Sequence, residues 1–218
     1  MTIKAVLFDF DDTLGNRKLY TYDCYYEIVD KLIGIEDEIE KEAVIQDLLL
    51  YDMRGYMRKD MIGELYERKY KKKFPIDDFN EYWDKNQYRF VMPFDNARKL
   101  LELLKKDYKL GVITNGRSFG QNAKVEYSGL KDLLDTVIVS QDVGMHKPDA
   151  DIYNEAMRRL GVTNKETVFV GDTYSSDILG AYHAGITPIW FDPSNASRSK
   201  AVIRISSLDE LPELLKTL

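Results

Sequence analysis

Reactive side chains are concentrated in four stretches of this chain: Asp9-Phe10-Asp11-Asp12-Thr13, Thr114-Asn115-Gly116, Lys147-Pro148 and Gly171-Asp172. Taken singly they say little. An Asp-x-Asp is common, Thr-Asn-Gly is often only a turn, and Gly-Asp after a strand often caps a helix. Together they hold the parts for displacement at phosphorus. A phosphate monoester dianion repels an anionic nucleophile, so a carboxylate attacks it only when a metal and cationic groups offset the charge on the phosphoryl oxygens. Asp9, Asp172 and a backbone carbonyl offer hard oxygen ligands of the kind Mg²⁺ takes. Asp11, two residues beyond Asp9, shares its side of an extended strand end, and can protonate a leaving oxygen and then accept a proton from an attacking water. Thr114 and the N–H groups near Asn115 and Gly116 can grip a phosphate oxygen, and Lys147 adds a compact cation. Pro148 biases Lys147 toward extended backbone and can open the helix that follows.

These groups need a frame that brings them together. Short apolar runs rich in β-branched residues occur at 3–8, 110–114, 136–139, 167–170, 188–191 and 201–205, and read as buried parallel strands. Between most of them the spacing is helical: Ala97, Leu100, Leu101, Leu104 and Tyr108 share one face, and the 153–160 segment stops at Gly161. A further helix is expected over 176–184, ending before Gly185, and a last one opens with Ser207 and Glu210 at capping-box spacing. Strands alternating with helices imply a doubly wound α/β sheet. The four reactive stretches lie at or after the ends of its first four strands, where such a sheet lines its ligand crevice. Residues 15–92 break the alternation. They read as four helices rich in Tyr, Glu and Lys, with apolar faces that include Tyr25, Ile28, Val29 and Leu32, then Met61, Ile62, Leu65 and Tyr66, then Phe79, Tyr82 and Trp83. Pro93 begins the return to the sheet, and no repeat or long flexible linker is present.

Composition narrows the field. With 218 residues, 44% of them hydrophobic, the chain can bury a substantial core. Its one cysteine, Cys24, excludes an internal disulfide and reads as a small buried hydrophobe. A net charge of -6 argues against a nucleic-acid partner, and the Lys71-Lys72-Lys73 run reads as a solvated helix end. No apolar run approaches the roughly 20 residues that span a bilayer, and Met1–Phe10 lacks the plan of a secretory signal, so a cytoplasmic protein is expected.

With these motifs in order, the sequence resembles the haloacid dehalogenase superfamily, in the subclass with a helical cap inserted after the first strand. The match runs through Asp9-Phe10-Asp11-Asp12-Thr13-Leu14, Val112-Ile113-Thr114-Asn115-Gly116 with Gln121, Lys147-Pro148-Asp149, and Val170-Gly171-Asp172 through Asp177 and Gly180-Ala181. The resemblance implies a Rossmann-like core over 1–14 and 93–218 with a cap over 15–92. It implies Asp9 as nucleophile, Asp11 as general acid/base and as a metal ligand through its carbonyl, and Asp172 as a direct Mg²⁺ ligand. Asp177 then supports the metal's waters or orients Lys147, and Thr114, Asn115, Gly116 and Lys147 contact the phosphate. The implied activity is hydrolysis of a small phosphorylated metabolite through an aspartyl phosphate.

Details inside the motifs separate this reading from its neighbours. Dehalogenases of the superfamily have no acid two residues after the nucleophile, so Asp11 points to phosphoryl transfer. Sugar-phosphate mutases usually carry an acid immediately before the last motif's Asp, where this chain has Gly171. Receiver domains also use an aspartyl phosphate, but their order of acidic pair, Thr and Lys differs, and they have no helical insertion. A mutase or a non-catalytic phosphate binder remains the alternative. His146 should point away from Lys147 in extended backbone, His183 fits a helix C-terminus, and Asp12 should face away from Asp9 and Asp11. In the insertion, Lys18, Arg54 and Arg58 are the cations to test for substrate contact, and the tyrosines read mainly as core.

Overall fold

The computed structural model describes residues 2–195 and 197–218; Met1 and Ala196 lie outside the described residues. The chain forms two compact units, Met1–Asn16 with Pro93–Leu218, and Arg17–Met92. The first strand, β1 (Ala5–Phe8), leads into the inserted unit with α1 (Arg17–Ile28), α2 (Glu38–Asp52), α3 (Lys59–Tyr70) and α4 (Ile76–Asn86). The larger unit resumes with α5 (Ala97–Leu104), β2 (Lys109–Thr114), α6 (Ser118–Tyr127), β3 (Thr136–Val139), α7 (Ser140–Val143) and α8 (Ala150–Leu160). It closes with β4 (Thr167–Gly171), α9 (Leu179–His183), β5 (Thr187–Phe191), β6 (Ile203–Ile205) and α10 (Leu211–Leu215).

All six strands pair in parallel, in the order β3-β2-β1-β4-β5-β6. The order reverses beside β1, so the carboxyl ends of β1, β2 and β4 open onto the topological switch point of a doubly wound sheet. Alternation along the strands explains the two covered faces. Ala5, Leu7, Ile113, Ile138 and Phe169 pack with Ile152, Tyr153, Ala156 and Leu160 of α8 and Ala181 of α9, while Val6, Phe8, Val112, Val168 and Val170 are buried as well. The helix α8 ends at Gly161, whose φ of +64° is the left-handed C′ conformation that glycine adopts without a Cβ clash.

Three elements depart from the sequence-based expectation, the first strand beginning at Ala5 instead of residue 3. The last strand is shorter, because only Ile203–Ile205 pair with β5. The helix expected over 176–184 is divided: a wide turn at Tyr174–Ile178 precedes α9. The Asp177 side chain folds back there to accept the Thr173 N–H at 2.9 Å, a local bond that competes with regular helix.

The inserted unit is helical, with its own core. Cys24, Tyr25, Ile28 and Val29 of α1 pack with Val44, Ile45 and Leu48 of α2, Ile62 and Tyr66 of α3, and Phe74 and Phe79. Cys24 is free and buried. The α3 face excludes Met61, which is exposed. A charged group also lies inside: Arg17 pairs with Asp52 at 2.7 Å, both buried. No helix of the described residues is long and apolar enough to cross a membrane.

Close packing at the sheet centre is testable at Gly111, which pairs with Leu7 of β1 and Thr136 of β3. A Cβ there would lie 2.7 Å from Thr136 Cγ2 and 2.8 Å from Leu7 Cδ2. Gly111→Ala is therefore expected to destabilise the protein by about 1–3 kcal/mol, the usual cost of overpacking, read as a lower urea midpoint.

Candidate active site

Asp9 continues β1 by one residue, its N–H donating to Val170 O of β4 at 2.9 Å. The carboxylate is buried beside Lys147, whose Nζ donates to Asp9 Oδ1 at 2.5 Å and to Asp177 Oδ1 at 2.7 Å. Burial alone would lower the Lys147 pKa, but the carboxylates of Asp177 and Asp9 outweigh it and hold the ammonium well above its ordinary value. Burial likewise dominates at Asp9 and raises its pKa to about 7; Lys147 opposes the rise, and Asp177 and Asp11 add to it.

The parts around this pair are fixed from several elements. Asn115, just past β2, clamps the backbone of Lys147: its Oδ1 accepts the Lys147 N–H and its Nδ2 donates to the Lys147 carbonyl, each at 2.9 Å. The Lys147–Pro148 peptide bond is cis, and α8 starts two residues on. The Asn115 side chain is thus committed to the lysine. Gly116 N–H donates to Ser140 Oγ at 3.0 Å. Thr114 is buried at the end of β2. Asp177 is held on its other side by Thr173 N–H, and Gly171 makes room for it: a Cβ on Gly171 would come within 2.5 Å of Asp177 Cβ and 2.6 Å of its Cγ. Asp172, at the tip of β4, receives Thr13 Oγ1 at 3.4 Å, and its carbonyl accepts Trp190 Nε1 at 2.9 Å.

The chain after Asp9 turns instead of extending. Phe10 O accepts the N–H groups of Thr13, Leu14 and Gly15, and Asp12 has a φ of +64°, a left-handed conformation that Asp tolerates. Strand alternation therefore does not decide where Asp11 and Asp12 point. The Asp11 carboxylate faces α6, where Lys124 Nζ lies 3.1 and 2.9 Å from its two oxygens and Gln121 Nε2 donates at 3.0 Å. Sequence reasoning did not single out Lys124, which sits in the last turn of α6 and more than a hundred residues from its partner. Its one signal was a lysine three residues after the motif's Gln121, on the same helical face. His146 lines an open groove with Gly116, Arg117, Ser140, Gln141 and Gly144. In the inserted unit Lys18 is exposed and Arg58 pairs with Asp60. Buried Arg17, and Lys59 over the Trp83 ring at 3.4 Å, escaped the sequence reading.

One oxygen from each of Asp9, Asp172 and Asp177 lies within 4.8 Å of the others. The donors are all hard oxygens, suited to Mg²⁺ and similar ions. Asp9 and Asp177 already share the Lys147 ammonium, and Asp172 adds a third carboxylate. That surplus of negative charge, in a site buried enough to lift Asp9 to about 7, suits a divalent cation. The sign of the pH effect follows. Below about pH 4 both folded and unfolded chains carry a protonated Asp9; between its ordinary value of 3.8 and about 7 the unfolded chain releases the proton first. Metal-free protein should lose stability from this group as pH rises through that window, and Asp9→Asn should flatten the decline, checked by thermal melts in chelator from pH 4 to 8.

Comparison with known proteins agrees with this geometry. The family model described as haloacid dehalogenase-like hydrolase matches residues 6–191. A pyrimidine 5'-nucleotidase, YjjG of Escherichia coli, is 34% identical over 140 residues, 62% of this chain and 62% of that enzyme, less than two thirds of its length. A glyceraldehyde 3-phosphate phosphatase of Methanothermobacter thermautotrophicus is 30% identical over 217 residues, covering 95% of this chain and 93% of that one. Among solved structures, the HAD-hydrolase YfnB of Bacillus subtilis superposes with a TM-score of 0.79 at 22% identity over 99% of both chains, a likeness of fold. An HAD phosphatase of Thermococcus onnurineus gives 0.63 at 28% identity over 98% of both. With most of its length matched and the Asp9, Thr114, Lys147 and Asp172 stretches gathered at one sheet edge, the chain belongs to the haloacid dehalogenase-like hydrolases.

Proposed function

We propose that this hydrolase is a Mg²⁺-dependent phosphomonoesterase that cleaves a small phosphorylated metabolite through an aspartyl phosphate on Asp9. The observation that carries the reading is the buried Lys147 between Asp9 and Asp177, next to the carboxylate of Asp172. Asp9 and Asp172, beside Asp177, would hold Mg²⁺, and the ion would supply positive charge to keep Asp9 ionised and to offset the negative charge of the phosphoryl oxygens. Asp9 Oδ attacks phosphorus, and the bond from phosphorus to the leaving oxygen breaks. Asp11 gives its proton to that oxygen. In the second half, Asp11 takes a proton from a water that attacks phosphorus, which frees Asp9 and releases inorganic phosphate. Lys147 and Thr114 hold the phosphoryl oxygens with backbone N–H groups at Asn115, while Asp177 keeps Lys147 aimed.

The inserted helical unit serves in this reading as a cap that excludes bulk water and carries leaving-group recognition. Similarity to phosphatases named for glyceraldehyde 3-phosphate and to pyrimidine 5'-nucleotidases supports a sugar or nucleoside phosphate as the substrate. The nucleophile is tested on a broad metabolite panel with Mg²⁺. Asp9→Asn should abolish phosphate release while the fold persists by circular dichroism, and near-normal turnover in that variant would refute the mechanism. Asp11→Asn should lower kcat by about 10²–10⁴-fold, the span usual for a lost general acid/base. A sugar 1-phosphate should yield free phosphate, not its isomer.

A further inference from the structure

Asp11 lies close enough to Asp9 for its charge to help raise that group's pKa, yet its carboxylate stands outside the cluster formed by Asp9, Asp172 and Asp177. It turns to α6. Lys124 Nζ spans both Asp11 oxygens at 3.1 and 2.9 Å, and Gln121 Nε2 donates to Oδ2 at 3.0 Å. Gln121 and Lys124 are three residues apart on one helical face, and both are buried. Gln121 is itself fixed: the same nitrogen donates to Asn115 O at 2.9 Å, and its Cγ fills the space a Cβ on Gly116 would enter, 2.7 Å away. The restraint on Asp11 is thus built from the phosphate-side turn and the helix after it.

A carboxylate two residues from the nucleophile has a strong competing attraction. A divalent cation beside Asp9 would draw it in as another oxygen ligand, and once bound there it could neither give nor take a proton at the leaving group. An ammonium bonded to both of its oxygens opposes that collapse. We propose that Lys124, assisted by Gln121, is the positioning residue of the proton-transfer carboxylate, holding Asp11 off the cation cluster so that it stays available to the leaving oxygen and to water. This rests on the phosphatase reading of Asp11 above, but it makes a separate claim about which groups Asp11 may bind.

The test combines turnover with metal binding by chelator-treated protein, read by titration calorimetry with MgCl₂ alone. Lys124→Met is expected to lower kcat for phosphate release by about 10- to 100-fold with little change in KM, part of the effect of losing the acid/base itself. It is also expected to bind Mg²⁺ more tightly, by about threefold or more, because an added charged ligand raises affinity. Lys124→Arg should restore most of both, since Arg can span a carboxylate. Adding Asp11→Asn to Lys124→Met should remove the tighter binding. Gln121→Met, a milder cut, should shift both quantities the same way by a smaller factor and serves if Lys124→Met does not fold. Unchanged Mg²⁺ affinity in folded Lys124→Met, or an equal kcat loss in Lys124→Arg, would overturn the proposal and leave Lys124 a packing residue. Wild-type turnover in Asp11→Asn would instead overturn the acid/base reading, with the calorimetry still judging Lys124.

Discussion

An ammonium group is tolerated in a protein interior only where carboxylates answer it, and removing one partner of such a buried pair typically costs about 3–5 kcal/mol because a naked charge is left behind. Lys147 is in that position, with Asp9 on one side and Asp177 on the other. Much of the surrounding architecture serves to keep the three groups in line. The parallel order puts β1 beside β4, so Asp9 and Asp172 leave adjacent strands. Asn115 grips the Lys147 backbone from the end of β2, and the wide turn before α9 brings Asp177 back to the site. Tyr153 of α8 seals that turn, donating to Ser176 O at 2.6 Å. The site and the sheet edge are therefore one mechanical object, and a change in either reaches the other.

How far the sequence revealed this depended on the range of the interaction involved. Strands such as 136–139 and the α8 pattern ending at Gly161 were legible because local alternation and a left-handed glycine determine them. The strand-end positions of Asp9, Thr114 and Asp172 followed from the same periodicity. What failed was direction. Extrapolating strand alternation past Asp9 placed Asp11 beside it and Asp12 opposite, whereas the carbonyl of Phe10 gathers three N–H groups and winds the chain into a turn. The Asn115 side chain, by contrast with its backbone N–H, gave no sign that it satisfies a backbone 32 residues away. The pairing of Lys124 with Asp11 left only a faint local trace, its spacing from Gln121, since a helix's own periodicity does not say which buried lysine has a distant acid.

The inserted unit shows the same limit from another side. Some of its tyrosines were legible as core: Tyr25 and Tyr66 are fully buried, and Tyr25 stacks on Phe79 with centroids 6.2 Å apart, whereas Tyr56 is exposed. Its buried ion pair was not legible, for Arg17 and Asp52 are ordinary surface types until packing encloses them, with Lys59 half-buried beside Asp52. Burial lowers the Lys59 pKa to about 8, against the pull of Asp52.

Gly171 gives the arrangement a boundary. Its α-carbon stands so near Asp177 that the first atom of any side chain would fall on that carboxylate. A side chain there would have to displace the carboxylate that pairs with Lys147. The backbone at the tip of β4 and the buried ion pair beneath it can therefore change only together.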